Sequence, residues 1–256
     1  MKREPSDAAA PTRARLFVTA ALATGATVDL DARAAHYLTG VLRLKPGAEI
    51  AVFNGRAGEF AATLVAAGKR ASRLEVLAQR RPQPAEPDVW LLFAPVKRAR
   101  IDLIAEKATE LGVTRLCPVI TRYTVVTRVN VERLRAIAVE AAEQCERLSV
   151  PTVEQPVPLE TALARWPAGR SLLVGDEAGG GRPLAAALVD VKPGQWAVLV
   201  GPEGGFAEAE LDALRRFQFV SAVGLGPRVL RADTAVTAAL AVVQSLIGDW
   251  GHPPRS

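Results

Sequence analysis

Three segments in the second half of the chain place glycines beside an acid, an arginine or both: Val174 to Gly181 (VGDEAGGG), Val200 to Phe206 (VGPEGGF) and Leu225 to Ala235 (LGPRVLRADTA). Each follows or continues a short apolar run that reads as a β-strand. Glycine lacks a Cβ, so a ligand can approach the main chain closely and meet its N–H and C=O groups directly. Backbone recognition of an adenine ring is one chemistry such loops serve. Singly, each reads equally well as a tight turn. Three of them at successive strand exits point to a shared site.

Several familiar chemistries are excluded. No Gly-x-x-x-x-Gly-Lys-[Ser/Thr] occurs, so there is no P-loop. Gly224 to Val229 begins like a dinucleotide fingerprint, but its sixth position is Val229 and Pro227 removes an N–H. Without a Gly-x-Ser-x-Gly elbow or a plausible Ser-His or Cys-His arrangement, acyl transfer has no candidate triad. Cys117, Cys145, His36 and His252 are the only cysteines and histidines and show no ligand-like spacing, so no metal is expected. The two lone thiols suit a reducing, cytoplasmic setting.

The loops need a frame, and the rest of the chain supplies it. Hydrophobic residues form 49% and charged residues 23% of 256 residues, room for a sizeable core and two domains. No apolar run reaches the roughly 18 residues of a membrane span. Residues 1–12 read as a disordered tail, since Glu4, Asp7, Thr19, Thr24 and Gly25 spoil the loose likeness of the first residues to a secretory signal. A first strand puts Leu16 and Val18 on one side, and Asp31 stands as N-cap to a helix over 32–42 that presents Ala35, Leu38 and Leu42. An alternating strand over 49–53, a turn over 54–58, and strands over 59–65 and 73–78 complete a small β unit at 13–81. Pro82, Pro84 and Pro87 mark a linker at 82–87.

Beyond the linker, strands and helices alternate across 88–250. Strands read over 90–94, 115–120, 171–174, 196–200 and 220–225; helices read over 98–111, 131–148, 183–189, 208–217 and 234–250. The helix over 131–148 carries the stripe Leu134, Ile137, Ala141, Cys145 and Leu148. This is the pattern of an α/β domain with a parallel sheet covered on both faces. In such a sheet a ligand lies beyond the carboxyl ends of the strands, where the three loops fall. The last helix is apolar nearly all round, which fits either core packing or a dimer seam.

Charge is unevenly divided. Residues 1–87 hold 13 Lys+Arg against 8 Asp+Glu, whereas residues 88–256 hold 19 of each. A local excess of this kind suits a polyanion such as RNA, bound through phosphate contacts and counterion release, as well as it suits a solvated basic face. Arg15, Arg43 and Lys45 are the candidate RNA contacts, and Arg147 is a candidate to reach substrate or a dimer partner.

The segments Leu199 to Phe206 and Leu225 to Arg231 resemble those of the RsmE family, SPOUT-superfamily RNA methyltransferases. Glu143-Gln144-Cys145 with Val150-Pro151, Lys107 with Glu110 to Val113, and His36-Tyr37-Leu38 with Val41-Leu42-Arg43 and Gly47 agree with it. The resemblance runs from Arg15 to Trp250. It implies a PUA-like N-terminal β-barrel domain that grips RNA and a trefoil-knotted parallel-sheet domain. It also implies a homodimer, S-adenosylmethionine as methyl donor, and methylation of uridine N3 in small-subunit (16S) ribosomal RNA or the small ribosomal subunit. The glycine loops then hold the cofactor, with Val174, Gly175, Val200, Gly201, Pro202, Gly204, Gly205, Leu225, Gly226, Leu230, Thr234 and Ala235 as the expected contacts. The family typically has Thr-Glu-Thr where this chain has Ala232-Asp233-Thr234.

Uridine N3 carries a proton at neutral pH that must leave before methyl transfer. Asp233 is the candidate base or relay, Glu203 the second choice, and Arg231 the stabiliser of the anion. Structural alternatives stand beside these roles: Asp233 as N-cap of the last helix, Glu203 as a brace for its own turn, Arg231 as a partner of Asp233. A ribose 2'-O-methyltransferase of the same superfamily and a non-catalytic RNA-binding protein are the rival readings.

Overall fold

The computed structural model describes residues 14–67, 72–176, 179–189 and 194–252; the expected tail over 1–12, and Glu177 and Ala178 of the first glycine loop, lie outside the described residues. The chain divides into two compact units. One holds residues up to Pro84 together with Glu146–Ser149, and the other holds Ala85–Cys145 and the residues from Val150 onward. Residues 82–88, where a linker is expected, carry no regular structure.

The first unit contains β1 (Arg15–Phe17), β2 (Thr27–Asp29), α1 (Ala32–His36), β3 (Glu49–Phe53), β4 (Glu59–Ala67) and β5 (Ser72–Arg81), with the sheet ordered β1-β3-β4-β5-β2. Asp31 caps α1, its Oδ1 accepting from Ala34 N at 2.7 Å. The helix then widens into a π-type turn over Tyr37–Val41, where Leu42 N reaches Tyr37 O at 2.9 Å. The added residue per turn leaves Leu42 exposed while Leu38 stays buried, so the two do not share the expected face. Nor does β3 alternate. Ile50, Ala51, Val52 and Phe53 are all buried, because β3 sits between β1 and β4 with both faces covered.

The second unit is built on β6 (Val89–Phe93), α2 (Arg98–Glu110), β7 (Arg115–Ile120), α3 (Val131–Gln144), β8 (Thr152–Val153), β9 (Val157–Pro158), α4 (Leu159–Ala164), β10 (Arg170–Gly175), β11 (Arg182–Pro183), α5 (Leu184–Val189), β12 (Gln195–Val200), α6 (Glu208–Arg215), β13 (Val220–Gly224) and α7 (Ala232–Ile247). Its main sheet runs β11-β13-β10-β12-β6-β7-β8, with every recorded pairing parallel. Successive residues of the central strands serve opposite faces. Leu91, Leu173 and Val198 join one apolar cluster with residues of α2, α3, α5 and α7; Leu92, Leu172 and Ala197 join another with α4 and α6. Parallel strands buried on both sides explain the unbroken apolar runs in the sequence.

Three departures from the expected pattern matter. Helix α3 ends at Gln144, with Cys145 as C-cap and Glu146 at φ +61°, so Leu148 leaves the stripe and falls in the segment that groups with the first unit. The short elements β8, β9 and α4 carry no periodic signal strong enough to be expected from sequence. Helix α7 begins at Ala232, two residues earlier than the pattern predicts, and Arg231 rather than Asp233 is its N-cap.

Candidate active site

Because the strands run parallel, the loops leaving β10, β12 and β13 emerge on one edge of the sheet. They wall a cleft of about 430 Å³, inside the size range of small-molecule sites. Its apolar lining includes Val200, Phe206, Val223, Leu225, Val229 and Leu230. At Gly181 the main chain of the first loop lies against β13 so closely that a Cβ would come within 2.6–2.7 Å of Val223 backbone atoms. At Gly226 φ is +103°, a conformation that side chains disfavour. These two glycines bring the first and third loops to the positions that shape the cleft.

Of the residues expected to contact a cofactor, Gly175, Val200, Gly201, Pro202, Gly205, Leu225, Gly226, Leu230 and Ala235 line the cleft. Val174, Gly204 and Thr234 are not in its wall. Val174 points into the apolar cluster on one sheet face, Gly204 backs onto Tyr123, and Thr234 is exposed on α7. Sequence reasoning passed over Asp176, whose buried carboxylate lies in the lining with Arg215 Nη2 3.9 Å from its Oδ2. An acid inside a glycine-rich turn gives no periodic signal to distinguish it from solvated loop acids.

The three candidate catalytic residues have distinct surroundings. Arg231 is exposed, has no ion-pair partner among the described residues, and accepts Ala235 N at 2.8 Å through its main-chain oxygen at the start of α7. Asp233 lies in the first turn of α7. Its side chain neither caps the helix nor pairs with Arg231, and Oδ1 is buried with no hydrogen-bond partner. Both structural alternatives for this acid are thereby overturned. Glu203 lines the cleft, and its Oε1 accepts from Arg100 Nη1 of α2 at 2.6 Å, so it is tied to a helix rather than to its own turn alone. Among the described residues no group of three or more His, Cys, Asp or Glu could hold a metal ion.

The candidate RNA contacts of the first unit separate sharply. Arg43, at φ +55°, and Lys45 are exposed. Arg15 is only 8% exposed; its guanidinium pairs with Glu59, lies over the Phe53 ring and donates to Arg147 O at 3.2 Å. Arg147 is only 4% exposed, within the segment that belongs to the first unit. Both expectations are corrected: these arginines are interior, and their cationic groups serve the fold.

The parallel sheet with its glycine-walled cleft, together with a separate β unit, defines an RNA methyltransferase. The family model for an RNA methyltransferase domain matches residues 83–244, and that for an RNA methyltransferase PUA domain matches residues 30–77. The ribosomal RNA small subunit methyltransferase E of Rickettsia conorii is 30% identical over 233 residues, spanning 91% of this chain and 95% of its own. That of Synechocystis is 33% identical over 241 residues, spanning 91% and 78%. The crystal structure of the Neisseria gonorrhoeae enzyme of that name, bound to S-adenosyl methionine, has a TM-score of 0.83 at 30% identity and covers 93% of this chain and 99% of its own. The chain belongs to the ribosomal RNA small subunit methyltransferase E family. The expected fold class holds: an α/β parallel-sheet methyltransferase domain with a PUA-type β unit before it.

Proposed function

We propose that this chain transfers a methyl group from S-adenosylmethionine to N3 of a uridine in small-subunit ribosomal RNA. The observation that carries the reading is the cleft itself: three strand-end loops close on an apolar hollow, with Arg231 and Asp233 at the entry to α7. The residues present suit the donor. Apolar walls at Phe206, Val229 and Leu230 accept an adenine ring and a methionine chain, and glycine main chain offers donors and acceptors close by. When bound, S-adenosylmethionine supplies an electrophilic methyl for in-line displacement.

The chain's own contribution is alignment and proton transfer. Positioning of the two reactants is worth roughly 7–11 kcal/mol where the geometry is right. Asp233 takes the N3 proton, directly or through a water, through the oxygen that has no other partner. Arg231 stabilises the uracil anion left behind, its guanidinium having no acid to neutralise it. Glu203 ranks second as base because Arg100 already engages it.

Three further features complete the proposal. Arg43 and Lys45 contact RNA phosphates from the PUA-type unit. The enzyme works as a homodimer, supported by the partly exposed face of α7 at Ala238, Ala241 and Val242 and by exposed Leu246 and Trp250. It acts in the cytoplasm, where its RNA is assembled. In keeping with this, no helix among the described residues is long and apolar enough to cross a membrane.

Nucleoside mass spectrometry of small-subunit ribosomal RNA treated with the protein and S-adenosylmethionine tests the reaction. A gain of 3-methyluridine is expected. A 2'-O-methylated nucleoside, or no modified nucleoside at all, overturns it.

A further inference from the structure

The charge count gives residues 88–256 no excess of either sign, yet the cancellation is local. Arg115, Arg133 and Arg135 are matched by Glu154, Asp102 and Glu132. By contrast Lys97, Arg122, Arg128, Arg228 and Arg231 are exposed and have no acidic partner among the described residues. All five lie on the segments leaving the carboxyl ends of β6, β7 and β13, the edge that carries the cleft.

An aromatic ring stands among these cations. Tyr123, 50% exposed, follows Arg122 in the segment after β7. Its Cβ lies 3.4 Å from where a Cβ on Gly204 would be, between the cleft-lining residues Glu203 and Gly205. The turn that carries it is held firmly. Thr124 N donates to Thr121 O, Thr121 N donates to Thr124 Oγ1, and the two hydroxyls meet at 2.8 Å. From outside, Glu210 accepts Arg122 N through Oε1 and Ala207 N through Oε2, so the acid that closes the start of α6 also fixes the Tyr123 turn. A half-exposed ring on a braced turn, flanked by unmatched arginines, is the arrangement that stacks an unpaired base while cations meet the adjoining phosphates.

We infer that Tyr123 is the stacking platform for an unpaired base of the RNA substrate at the mouth of the cleft, with Arg122 and Arg128 contacting the neighbouring phosphates. This rests on the proposed reaction and adds the residue that presents the strand to it. As a positioning residue, Tyr123 acts on substrate binding and takes no proton.

The test uses full-length Tyr123→Ala and Tyr123→Phe, with S-adenosylmethionine and small ribosomal subunits lacking the modification. Tyr123→Ala is expected to raise KM for subunits about 10- to 100-fold, the worth of a base–aromatic stack. The calorimetric Kd for S-adenosylmethionine and the Tm should stay at wild-type values, and Tyr123→Phe should keep the wild-type KM. Arg122→Ala with Arg128→Ala should lower the slope of log Kd against log salt by about 1.4, at roughly 0.7 per single-strand phosphate contact. An unchanged KM in Tyr123→Ala overturns the inference. So does a parallel loss of S-adenosylmethionine affinity, which marks Tyr123 as only a prop for Gly204, or a Tyr123→Phe variant as impaired as the alanine one. Failure of the underlying reaction is distinguishable, because the wild-type protein would then transfer no methyl before any variant is made.

Discussion

Arg100 of α2 donates to Glu203 of the segment after β12 at 2.6 Å, tying a helix to the loop that lines the cleft. The side chains are 27% and 49% exposed, so solvent screens the pair and its contribution to folding is no more than about 1 kcal/mol. Its effect falls on the loop's position. Arg100→Met should leave Tm nearly unchanged while weakening S-adenosylmethionine binding about 3- to 10-fold, the equivalent of roughly 1 kcal/mol of lost loop order. Calorimetry and a thermal melt on the same preparation check this; undiminished affinity would show that the loop holds its shape alone.

Arg231→Ala should abolish detectable methylation, with the single-turnover rate lowered about 10²- to 10³-fold, as expected when one stabiliser of a developing anion is removed. The fold should persist, because the N-cap contact to α7 comes from the main-chain oxygen, which alanine keeps. Circular dichroism and S-adenosylmethionine binding provide the controls. A rate near that of wild type would remove Arg231 from the reaction.

Asp233→Asn keeps the side chain's shape and removes its ability to take a proton. The expected loss is about 10²- to 10⁴-fold in the rate of methyl transfer, with cofactor affinity retained. Glu203→Gln should fall far less, since its interaction with Arg100 marks a bracing role. If Glu203→Gln proves the more damaging of the two, their roles are exchanged.

The sequence revealed the parts of this protein that repeat along the chain, and missed those that depend on distant partners. Strand β7 follows its apolar pattern from Arg115 to Ile120, and the glycine loops fall at strand exits because glycine spacing is visible locally. The end of α3 at Gln144 was not visible, since the apolar stripe runs on through Cys145 and Leu148; what stops the helix is Glu146 at φ +61° and the capture of the next residues by the first unit. Charge counting placed Arg15 at an RNA surface because it cannot see Glu59, 44 residues away, waiting in the interior. The same counting hid the unmatched arginines around Tyr123. The trefoil threading came with the family resemblance and with no residue pattern at all.

Exchanging Arg43 and Lys45 for Glu should weaken binding of ribosomal RNA and reduce its salt slope by about 2, one for each lost phosphate contact. Both side chains are exposed, so stability should be little affected. Anisotropy titrations at several salt concentrations measure the slope; an unaltered slope would move the RNA surface elsewhere. Arg15→Glu would not test the same idea, because it sets two carboxylates together in the interior and should unfold the unit.

The buried cluster around Glu59 makes the first unit acid-sensitive. Burial alone would push this carboxyl upward, but hydrogen bonds from Arg81 and Arg15 outweigh it and hold the group below the usual carboxylate range. A group lowered in the folded state contributes stability above its unfolded pKa, about 4.3, and that contribution is lost as pH falls towards the folded value. Glu59→Gln removes the charge and leaves the Arg15 guanidinium buried without its partner, an expected cost of about 3–5 kcal/mol at neutral pH. All four tryptophans, Trp90, Trp166, Trp196 and Trp250, lie in the second unit, so their fluorescence reports only that half. Hydrogen exchange at amides of β3 and β4 reads the first unit instead. Exchange there should accelerate in the wild type as pH drops below about 4.3, after correction for the intrinsic rate. In Glu59→Gln it should already be fast at pH 7 and lack that acid step. An equal acid step in both proteins would show that another carboxyl, and not Glu59, carries the sensitivity.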